Sequence, residues 1–458
     1  MTAAMGTHAL IMATDAPPLG HPAGGLGRAR AALMHTVAAR RGVWLAASDR
    51  PLAHDGSWLK PVEVDAHTLA AHRDGYCHTS LAPVYFGHTA LPRQEEAWLQ
   101  AHRAVSASYA RVAARLAAPG ATVWLHDYHL QLVPSLLRRL RPDVRIGLSL
   151  HSPFPPAESF LALAARDDIL RSLLAADVVG FQDPRSEANF VNLAAPQRPI
   201  TTLTLPMPAD TGPIAHLATD RRVQAAAARI RLALRPAGVI FLGTGGDDPA
   251  DGSVQQLREF ARLLAAGLLD PERSAFIHLA PARPGDTEQR AEIERLVAQI
   301  NGEHGRPGFC PVHYQRQDLP AADLTALYLA ADVMVATPMR DRPTPHAAEY
   351  CAARLDGRGR IVLSEFSSGT GQLPHAHVVN PHEPEALGRA MLEAAADAGR
   401  PSAAMALMRR QILTDGVSQW AQQFLARLAP VHDPLEGLWH RAHASDTGNR
   451  LTATAPHP

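Results

Sequence analysis

Two titratable side chains follow apolar runs within a single stretch of the chain, residues 121–160. Asp127 comes after the apolar run 121–125, and His151 comes after the run 144–150. A carboxylate can orient the hydroxyl groups of a ligand, and an imidazole can exchange protons near neutral pH. Leucines at helical spacing separate the two runs. The stretch therefore predicts a strand–helix–strand unit that positions Asp127 and His151 for chemistry, the alternative being two buried polar residues that cap turns.

The expected place of these residues in a sheet indicates a ligand site. In an open parallel sheet, ligands bind outside the carboxyl ends of the strands. Asp127 and His151 end successive strands of one predicted unit, so we expect them at the same edge. Gly24 and Gly25 follow an earlier apolar strand and precede a helix, an arrangement that lets backbone N–H groups approach an anion.

Length and charge limit the classes of protein to which the chain can belong. Its 458 residues suit two domains of about 200 residues each. The formal net charge is zero and no basic block stands out, so a nucleic-acid partner is not expected. No apolar run approaches the roughly 20 residues of a membrane span, and no secretory signal is evident. We therefore predict a cytoplasmic protein with no membrane partner, and a homo-oligomer remains open.

Cysteines and paired histidines bear on metal binding. The chain has three cysteines, Cys77, Cys310 and Cys351. They are too scattered for a disulfide framework or a CxxC metal site. His375-x-His377 and His126-x-x-His129 have the spacing of metal-binding pairs, but chance pairs are expected among 24 histidines. We therefore predict no metal and no cofactor.

Apolar runs alternate with amphipathic segments in both halves of the chain, which indicates parallel sheets flanked by helices. We predict an α/β protein with two doubly wound, Rossmann-like domains. The first is expected to cover residues 1–235 and the second residues 236–415. A helix within 416–440 is expected to cross back to the first domain, and residues 441–458 are expected to form a disordered tail.

Three motifs carry a resemblance to a known family. Residues 124–130 read WLHDYHL, residues 150–155 read LHSPFP, and residues 175–182 read AADVVGFQ. They resemble motifs of the retaining glycosyltransferases that make trehalose 6-phosphate. The resemblance implies a GT-B-like fold, in which the two domains face each other across a cleft. It also implies transfer of glucose from a nucleotide-sugar of the UDP-glucose class to glucose 6-phosphate or a related acceptor, with retention.

The same resemblance implies roles for residues on both sides of the cleft. His151 is expected to bind the donor glucose near its 6-hydroxyl, and Asp127 to orient hydroxyls of the acceptor. Asp341 is expected to bind hydroxyls of the donor sugar, and Glu349 the ribose. The other donor-binding candidates present backbone N–H groups, and they are Gly24, Gly25, Ser367, Ser368 and Gly369.

Some positions depart from the family pattern. The resemblance implies an arginine and a lysine on the donor diphosphate, where this chain has Gly245 and, at or beside the second position, Ala250. The arginine expected to hold the acceptor phosphate after the first strand is replaced by Thr14-Asp15. Preorganised cations stabilise the charge that develops on a leaving diphosphate. Their loss therefore predicts weak binding of nucleoside diphosphates.

Arginines elsewhere are the candidates to replace the missing charge, since Lys60 is the only lysine in the chain. Arg342 is the first candidate for the donor, with Arg283 and Arg340 as others, and Arg283 is also a candidate for binding the acceptor. Two functional hypotheses follow. The retained motifs favour an active glycosyltransferase of this family. The alternative is a catalytically silent or weakened member that acts as a binding or regulatory protein.

Overall fold

The computed structural model describes residues 6–18, 25–50, 58–87, 92–194, 200–234, 238–282, 288–368 and 370–429. The strands of a first sheet are β1 (His8–Thr14), β2 (Val43–Ser48), β3 (Leu59–Glu63), β4 (Ala117–His126), β5 (Arg145–Ser149), β6 (Val178–Phe181) and β7 (Thr201–Thr204). Within the described residues, these seven strands are parallel and follow the order β3-β2-β1-β4-β5-β6-β7. The central strands are buried almost throughout, which matches their near-continuous apolar sequences.

The second sheet is built in the same way. Its strands are β8 (Val239–Thr244), β9 (Ser274–Ala280), β10 (Val312–Arg316), β11 (Val333–Ala336), β12 (Arg360–Ser364) and β13 (His377–Val379). Over the described part of the chain, these six strands are parallel in the order β10-β9-β8-β11-β12-β13. The two sheets confirm the predicted fold class of two doubly wound α/β units.

Helices flank both sheets. Around the first sheet are α1 (Gly25–Ala39), α2 (Ala66–Ala70), α3 (Ala82–Tyr85), α4 (Glu96–Leu116), α5 (Val133–Leu140), α6 (Ala157–Leu161), α7 (Arg166–Leu173) and α8 (Pro184–Ala194), with a π-helix at Ala71–Leu81 and a 3₁₀ turn at Tyr128–Leu130. The remaining helices are α9 (Gly212–Leu217), α10 (Arg221–Ala233), α11 (Ser253–Ala265), α12 (Glu288–His304), α13 (Ala321–Ala330), α14 (Pro345–Ala353), α15 (Pro384–Asp397), α16 (Ala403–Thr414) and α17 (Val417–Leu428), with 3₁₀ turns at Pro249–Asp251 and Thr370–Gln372.

The strand order reverses at one point in each sheet. In the first sheet the reversal lies between β1 and β4, and in the second sheet it lies between β8 and β11. Loops that leave the carboxyl ends of two such strands run in opposite directions and open a crevice, where doubly wound proteins bind their ligands. The topology therefore predicts one ligand crevice per sheet.

Helix α17 returns to the first sheet. Its Trp420 stacks on Trp124 of β4 with ring centroids 5.1 Å apart, and its Phe424 stacks on the same indole at 4.7 Å. All three rings are almost completely buried, in a core shared with Trp44 of β2. Burying large aromatic side chains contributes several kcal/mol to such contacts. The end of the described chain is thereby attached to the unit in which the chain begins.

Helices α9 and α10 pack on the second sheet. Ile214 of α9 is in the same hydrophobic core as Leu242 of β8 and Tyr328 of α13, and α10 contacts α13 along its length. By packing, the second unit therefore includes residues before 235. The predicted domain bounds themselves stay a prediction, since residues 235–237 and 430–458 lie outside the described residues.

Two regions beside the first sheet are built from several short elements. Residues 157–173 form two helices, α6 and α7, joined by a turn. The segment 58–87, which has little pattern in sequence, forms β3, α2, the π-helix and α3. No helix in the described ranges has both the length and the hydropathy needed to cross a bilayer.

Candidate functional site

Asp127 and His151 lie side by side at the β1/β4 crevice. The backbone N–H of His151 donates to Asp127 Oδ1 at 3.3 Å, and the N–H of Tyr128 donates to the same oxygen at 3.0 Å. Asp127 has φ of 69°, a left-handed conformation that is unusual outside glycine. Its carboxylate caps the 3₁₀ turn, and that contact holds the strained backbone in place. The two strand ends therefore meet where the sequence predicts them, while their ligand roles stay predictions.

His126 fixes the orientation of His151. Nδ1 of His126 lies 2.9 Å from Nε2 of His151, so one imidazole donates a hydrogen bond to the other. The rings stack with centroids 5.2 Å apart, and Trp420 of α17 lies beside them. Only 7% of His151 is exposed. The sequence places His151 at a strand end, but only the fold shows that a second imidazole and a helix from the other end of the chain hold it.

Asp15 follows β1 in the same crevice, and its carboxylate is paired with nearby basic side chains. Arg73 Nε donates to Asp15 Oδ2 at 2.8 Å, and His72 Nε2 lies 3.2 Å from Oδ1. Burial alone would raise the pKa of Asp15, but the His72 hydrogen bond and the charges of His129 and Arg73 hold this pKa well below its usual range. The Asp15 carboxylate, which lies where the resemblance implies an arginine, is therefore already paired with Arg73. Arg73 comes from the π-helix, and no local pattern connects it with Asp15.

In the loop after β8, one arginine is shared by two carboxylates, whereas the loop after β1 has a single carboxylate. Arg342 Nη1 donates to Asp251 Oδ1 at 2.7 Å, and its other terminal nitrogen donates to Asp248. The second oxygen of Asp251 accepts the backbone N–H of Gly246 at 2.7 Å. Arg342 thus lies beside the altered loop, while its expected role in binding the donor stays a prediction. Its charge is not available on its own, however, because one guanidinium lies between two carboxylates.

Two glycines explain the shape of this loop. Gly252 has φ of 77°, and a Cβ there would lie 2.1 Å from the carbonyl oxygen of Thr337, so only glycine fits. At Gly245, a Cβ would lie 2.4 Å from Ser253 Oγ. An arginine at Gly245, the residue that the family resemblance implies, would therefore require Ser253 to move. The side chains of Asp251 and Ser253 already fill the space that a larger residue at Gly245 would need.

A cavity of about 410 Å³ lies at the β8/β11 crevice. Its wall includes Gly245, Gly246, Asp251, Arg342 and His346. The volume lies in the range of small-molecule sites. Among its described lining residues, Arg342 is the only arginine or lysine. Of the other two candidate arginines, Arg283 lies outside the described residues, as do Gly24 and Gly369, while Gly25 begins α1.

The N–H groups of Ser367 and Ser368 are already bonded. Ser367 N–H donates to Ser364 O at 3.0 Å, and Ser368 N–H donates to Arg342 O at 3.2 Å. A parallel bridge between Arg342 and Ser367 joins the two loops. The bridge uses the Ser368 N–H and a local turn uses the Ser367 N–H, while the predicted contact of these two groups with a phosphate stays a prediction. The helix that follows is only the 3₁₀ turn Thr370–Gln372.

Glu349 lies behind the cavity rather than in its wall. It is completely buried, and it accepts the Tyr328 hydroxyl at 2.7 Å. His346 Nδ1 lies 3.5 Å from the same carboxylate, and His346 itself lines the cavity. The expected contact of Glu349 with a ribose stays a prediction, and in this conformation His346 lies between Glu349 and the cavity space.

Asp341 lies between the two units. It lines a second cavity, of about 260 Å³, together with Phe86 and Gly87 of the first unit. Arg185 of α8 lies 3.7 Å from the Asp341 carboxylate, and Arg340 donates to the carbonyl oxygen of Gly87. Burial raises the pKa of Asp341, Asp183 adds to the rise, and Arg185 opposes it. The predicted cleft is therefore present, with Asp341 in it.

Possible metal ligands converge elsewhere. Neither His375-x-His377 nor His126-x-x-His129 belongs to a group of three ligands among the described residues. The one group found in that part of the chain is His72, Cys77 and His102, all buried. The sequence does not reveal it, because these residues share neither a helical nor a strand period.

Comparison with known proteins places this architecture in a family. The sequence model of Glycosyltransferase family 20 matches residues 52–430. A trehalose-6-phosphate synthase of Mycobacterium bovis is 36% identical over 419 residues, which cover 85% of this chain and 83% of the relative.

Solved structures agree in fold. An α,α-trehalose-phosphate synthase (UDP-forming) from Burkholderia vietnamiensis has a TM-score of 0.81 and 24% identity, and the match covers 92% of this chain and 98% of that one. A Burkholderia xenovorans enzyme of the same description, in complex with glucose-6-phosphate, has a TM-score of 0.79 and 22% identity, covering 92% and 100%. Given the extent of the family match and the identity to the mycobacterial relative, the chain belongs to Glycosyltransferase family 20.

Proposed function

We propose that this protein transfers glucose from UDP-glucose to glucose 6-phosphate with retention, forming trehalose 6-phosphate and UDP. The reaction itself needs no cofactor, and we place it in the cytoplasm. The names of the relatives support this choice: one is a trehalose-6-phosphate synthase, one neighbouring structure is described as UDP-forming, and another contains glucose-6-phosphate.

The observation that carries the proposal is the place of Arg342. Its guanidinium lines the cavity at the β8/β11 crevice, next to Gly245 and Gly246. As the bond to glucose breaks, negative charge grows on the departing diphosphate, and a fixed guanidinium stabilises that charge. Arg342 forms ion pairs with Asp248 and Asp251. A bound diphosphate would take over at least one of those hydrogen bonds.

The first unit supplies the acceptor side of the reaction. Asp127 offers a carboxylate to hydroxyls of glucose 6-phosphate, and His151, oriented by His126, offers a ring nitrogen to the donor sugar. No side chain needs to attack the sugar carbon, because a phosphate oxygen of the donor takes the proton of the acceptor hydroxyl. The work of the protein is then to position both substrates and to stabilise charge.

A coupled assay tests the proposal. The full chain is incubated with glucose 6-phosphate and UDP-, ADP- or GDP-glucose, and nucleotide release and the α,α-linked product are measured, the latter by NMR. We expect product with UDP-glucose, and a loss of at least about 100-fold in Asp127→Asn and in His151→Ala. A matched control is Asp143→Asn, an exposed carboxylate far from the crevice.

The catalytically silent alternative makes a different prediction in the same experiment. A binding or regulatory protein would bind a nucleotide-sugar in calorimetry and give no product with any of the three donors. That result, with the protein folded by circular dichroism, would overturn the proposed reaction.

A further inference from the structure

A group of three potential metal ligands lies beneath the β1/β4 crevice. His72 and Cys77 belong to the π-helix Ala71–Leu81, and His102 belongs to α4. All three side chains are completely buried. The bonding pattern of a π-helix connects residues five apart, so it places Cys77 one turn from His72 on the same side. An α-helix would not bring these two residues together in this way.

The separations between the ligand atoms fit a metal ion. His72 Nδ1 lies 3.0 Å from His102 Nδ1, and Cys77 Sγ lies 3.7 and 3.8 Å from these two nitrogens. A point equidistant from three such atoms lies about 2.0 Å from each, close to the usual Zn–N and Zn–S bond lengths of about 2.0 to 2.3 Å. The triangle therefore has the size of a zinc site without any movement of the backbone.

The contacts of His72 with Asp15 also support a metal site. His72 Nε2, the nitrogen that does not face the triangle, lies 3.2 Å from the Asp15 carboxylate. Arg73 holds that carboxylate from the other side at 2.8 Å. Histidines that bind metals usually donate their other N–H to a carboxylate, which fixes the tautomer and the ring orientation. With its Nε2 proton on Asp15, His72 has its lone pair on Nδ1, the nitrogen 3.0 Å from His102 Nδ1.

Hydrogen bonding alone accounts poorly for the group. Without a metal, its internal contacts are one imidazole–imidazole hydrogen bond and weak thiol contacts. Burying polar side chains with so few partners is costly. A π-helix of 11 residues is itself rare, and such helices are frequent at functional sites.

We propose that His72, Cys77 and His102 bind one Zn(II) ion. Binding releases the thiol proton of Cys77 to solvent, and both histidines coordinate through Nδ1 while Nε2 keeps its proton. A thiolate with two imidazoles suits zinc, and a water molecule can take the fourth position. The ion would join the π-helix to α4 and, through Asp15, to the end of β1. This site revises the expectation of no metal, and it is independent of the proposed transferase reaction.

Zinc content provides the direct test. The full chain is produced in zinc-supplemented medium, dialysed against metal-free buffer and analysed by mass spectrometry for metals. We expect about one zinc per chain, and a loss of at least about tenfold in Cys77→Ser and in His102→Gln. Cys351→Ser is the matched control, because Cys351 is also a buried free cysteine but lies in the second unit. It should keep the zinc content of the unaltered chain.

Cobalt provides a readout that reports the ligands themselves. The chain is unfolded with reductant and refolded with Co(II), so that access to a buried site does not limit binding. A thiolate-to-cobalt charge-transfer band is expected, which Cys77→Ser removes and Cys351→Ser retains. The proposal is overturned if the refolded chain lacks this band and the purified chain lacks zinc, or if Cys77→Ser retains both. Circular dichroism of each variant shows that it has folded.

Discussion

The loops after β1 and after β8 occupy equivalent places in the two sheets, yet they treat charge differently. After β1, the carboxylate of Asp15 receives Arg73 and His72, and only 16% of its side chain is exposed. After β8, Asp248 and Asp251 share Arg342 in the wall of an open cavity. At both places the family resemblance implies an arginine in the loop itself. In this chain an arginine from another part of the structure forms ion pairs with the acidic side chains of the loop instead.

This difference indicates which cluster stabilises the fold and which can interact with a ligand. The Asp15 cluster is balanced, with one carboxylate facing one guanidinium. The Arg342 cluster has one positive and two negative groups, and it borders space large enough for a ligand. We therefore expect changes at Asp15 to alter the stability of the fold, and changes around Arg342 to alter nucleotide affinity.

The largest expected effect is on stability at Asp15. Asp15→Asn leaves the Arg73 guanidinium without its carboxylate, and removing one partner of a buried ion pair costs about 3 kcal/mol. Urea unfolding followed by tryptophan fluorescence reports this, because Trp44, Trp124 and Trp420 lie in the core of the first unit. Asp251→Asn is the matched control, with a smaller expected cost, because Arg342 keeps a second carboxylate, Asp248, as its partner. Equal costs for the two variants would contradict the comparison.

Nucleotide affinity should respond most to Arg342. Arg342→Ala removes the cation in the cavity wall and leaves Asp248 and Asp251 facing the ligand. We expect UDP affinity to fall about 30-fold, equivalent to about 2 kcal/mol, the value of one charge-assisted hydrogen bond. Calorimetric titration measures it. Arg340→Ala is the control, because Arg340 lies in the same loop but bonds to Gly87 across the cleft. Unchanged affinity in Arg342→Ala would remove this residue from donor binding.

Mild acid should weaken the second unit through His278 on β9, behind the β8 loop. Burial lowers the pKa of His278 from 6.5 to about 4, so between these values the unfolded chain binds a proton that the folded chain does not. This contribution to stability is complete above pH 6.5 and is lost as the pH falls towards 4. From pH 7 to pH 5 the loss is about 2 kcal/mol.

Comparing His278→Gln with the unaltered chain isolates this contribution. Urea unfolding followed by circular dichroism at pH 7 and pH 5 should show that the variant loses about 2 kcal/mol less than the unaltered chain. His216→Gln, at an exposed position on α9, should leave the pH dependence unchanged. The same pH dependence in His278→Gln and in the unaltered chain would show that His278 is not the responsible group.

The smallest expected effect is a gain at Asp248. Asp248→Asn removes one of the two carboxylates that compete with a diphosphate for Arg342, while the amide oxygen can still accept the Ala250 N–H that caps the 3₁₀ turn. We expect UDP affinity to rise about fivefold, equivalent to about 1 kcal/mol. Asp247→Asn should not reproduce the gain, since Asp247 is bonded to Arg290. A fall in affinity would mean that Asp248 orients Arg342 rather than competing for it.

The sequence alone determined the two sheets and the strand ends. Apolar runs of strand length, separated by helical patterns, can form little else than a doubly wound sheet. The residue that follows such a run must lie at the carboxyl edge, so the places of Asp127 and His151 were predictable. These are local properties, which do not depend on the path of the rest of the chain.

Only the tertiary structure decided which charged groups meet. Asp15 and Arg73 are 58 residues apart, and Asp248 and Arg342 are 94 apart. Their pairing depends on how loops cross at the strand reversals, which no local pattern encodes. The group of His72, Cys77 and His102 stayed hidden for a related reason: a spacing of five residues has no meaning until a π-helix forms and α4 packs against it. Strand ends follow from periodicity, whereas the partners of a side chain follow from packing.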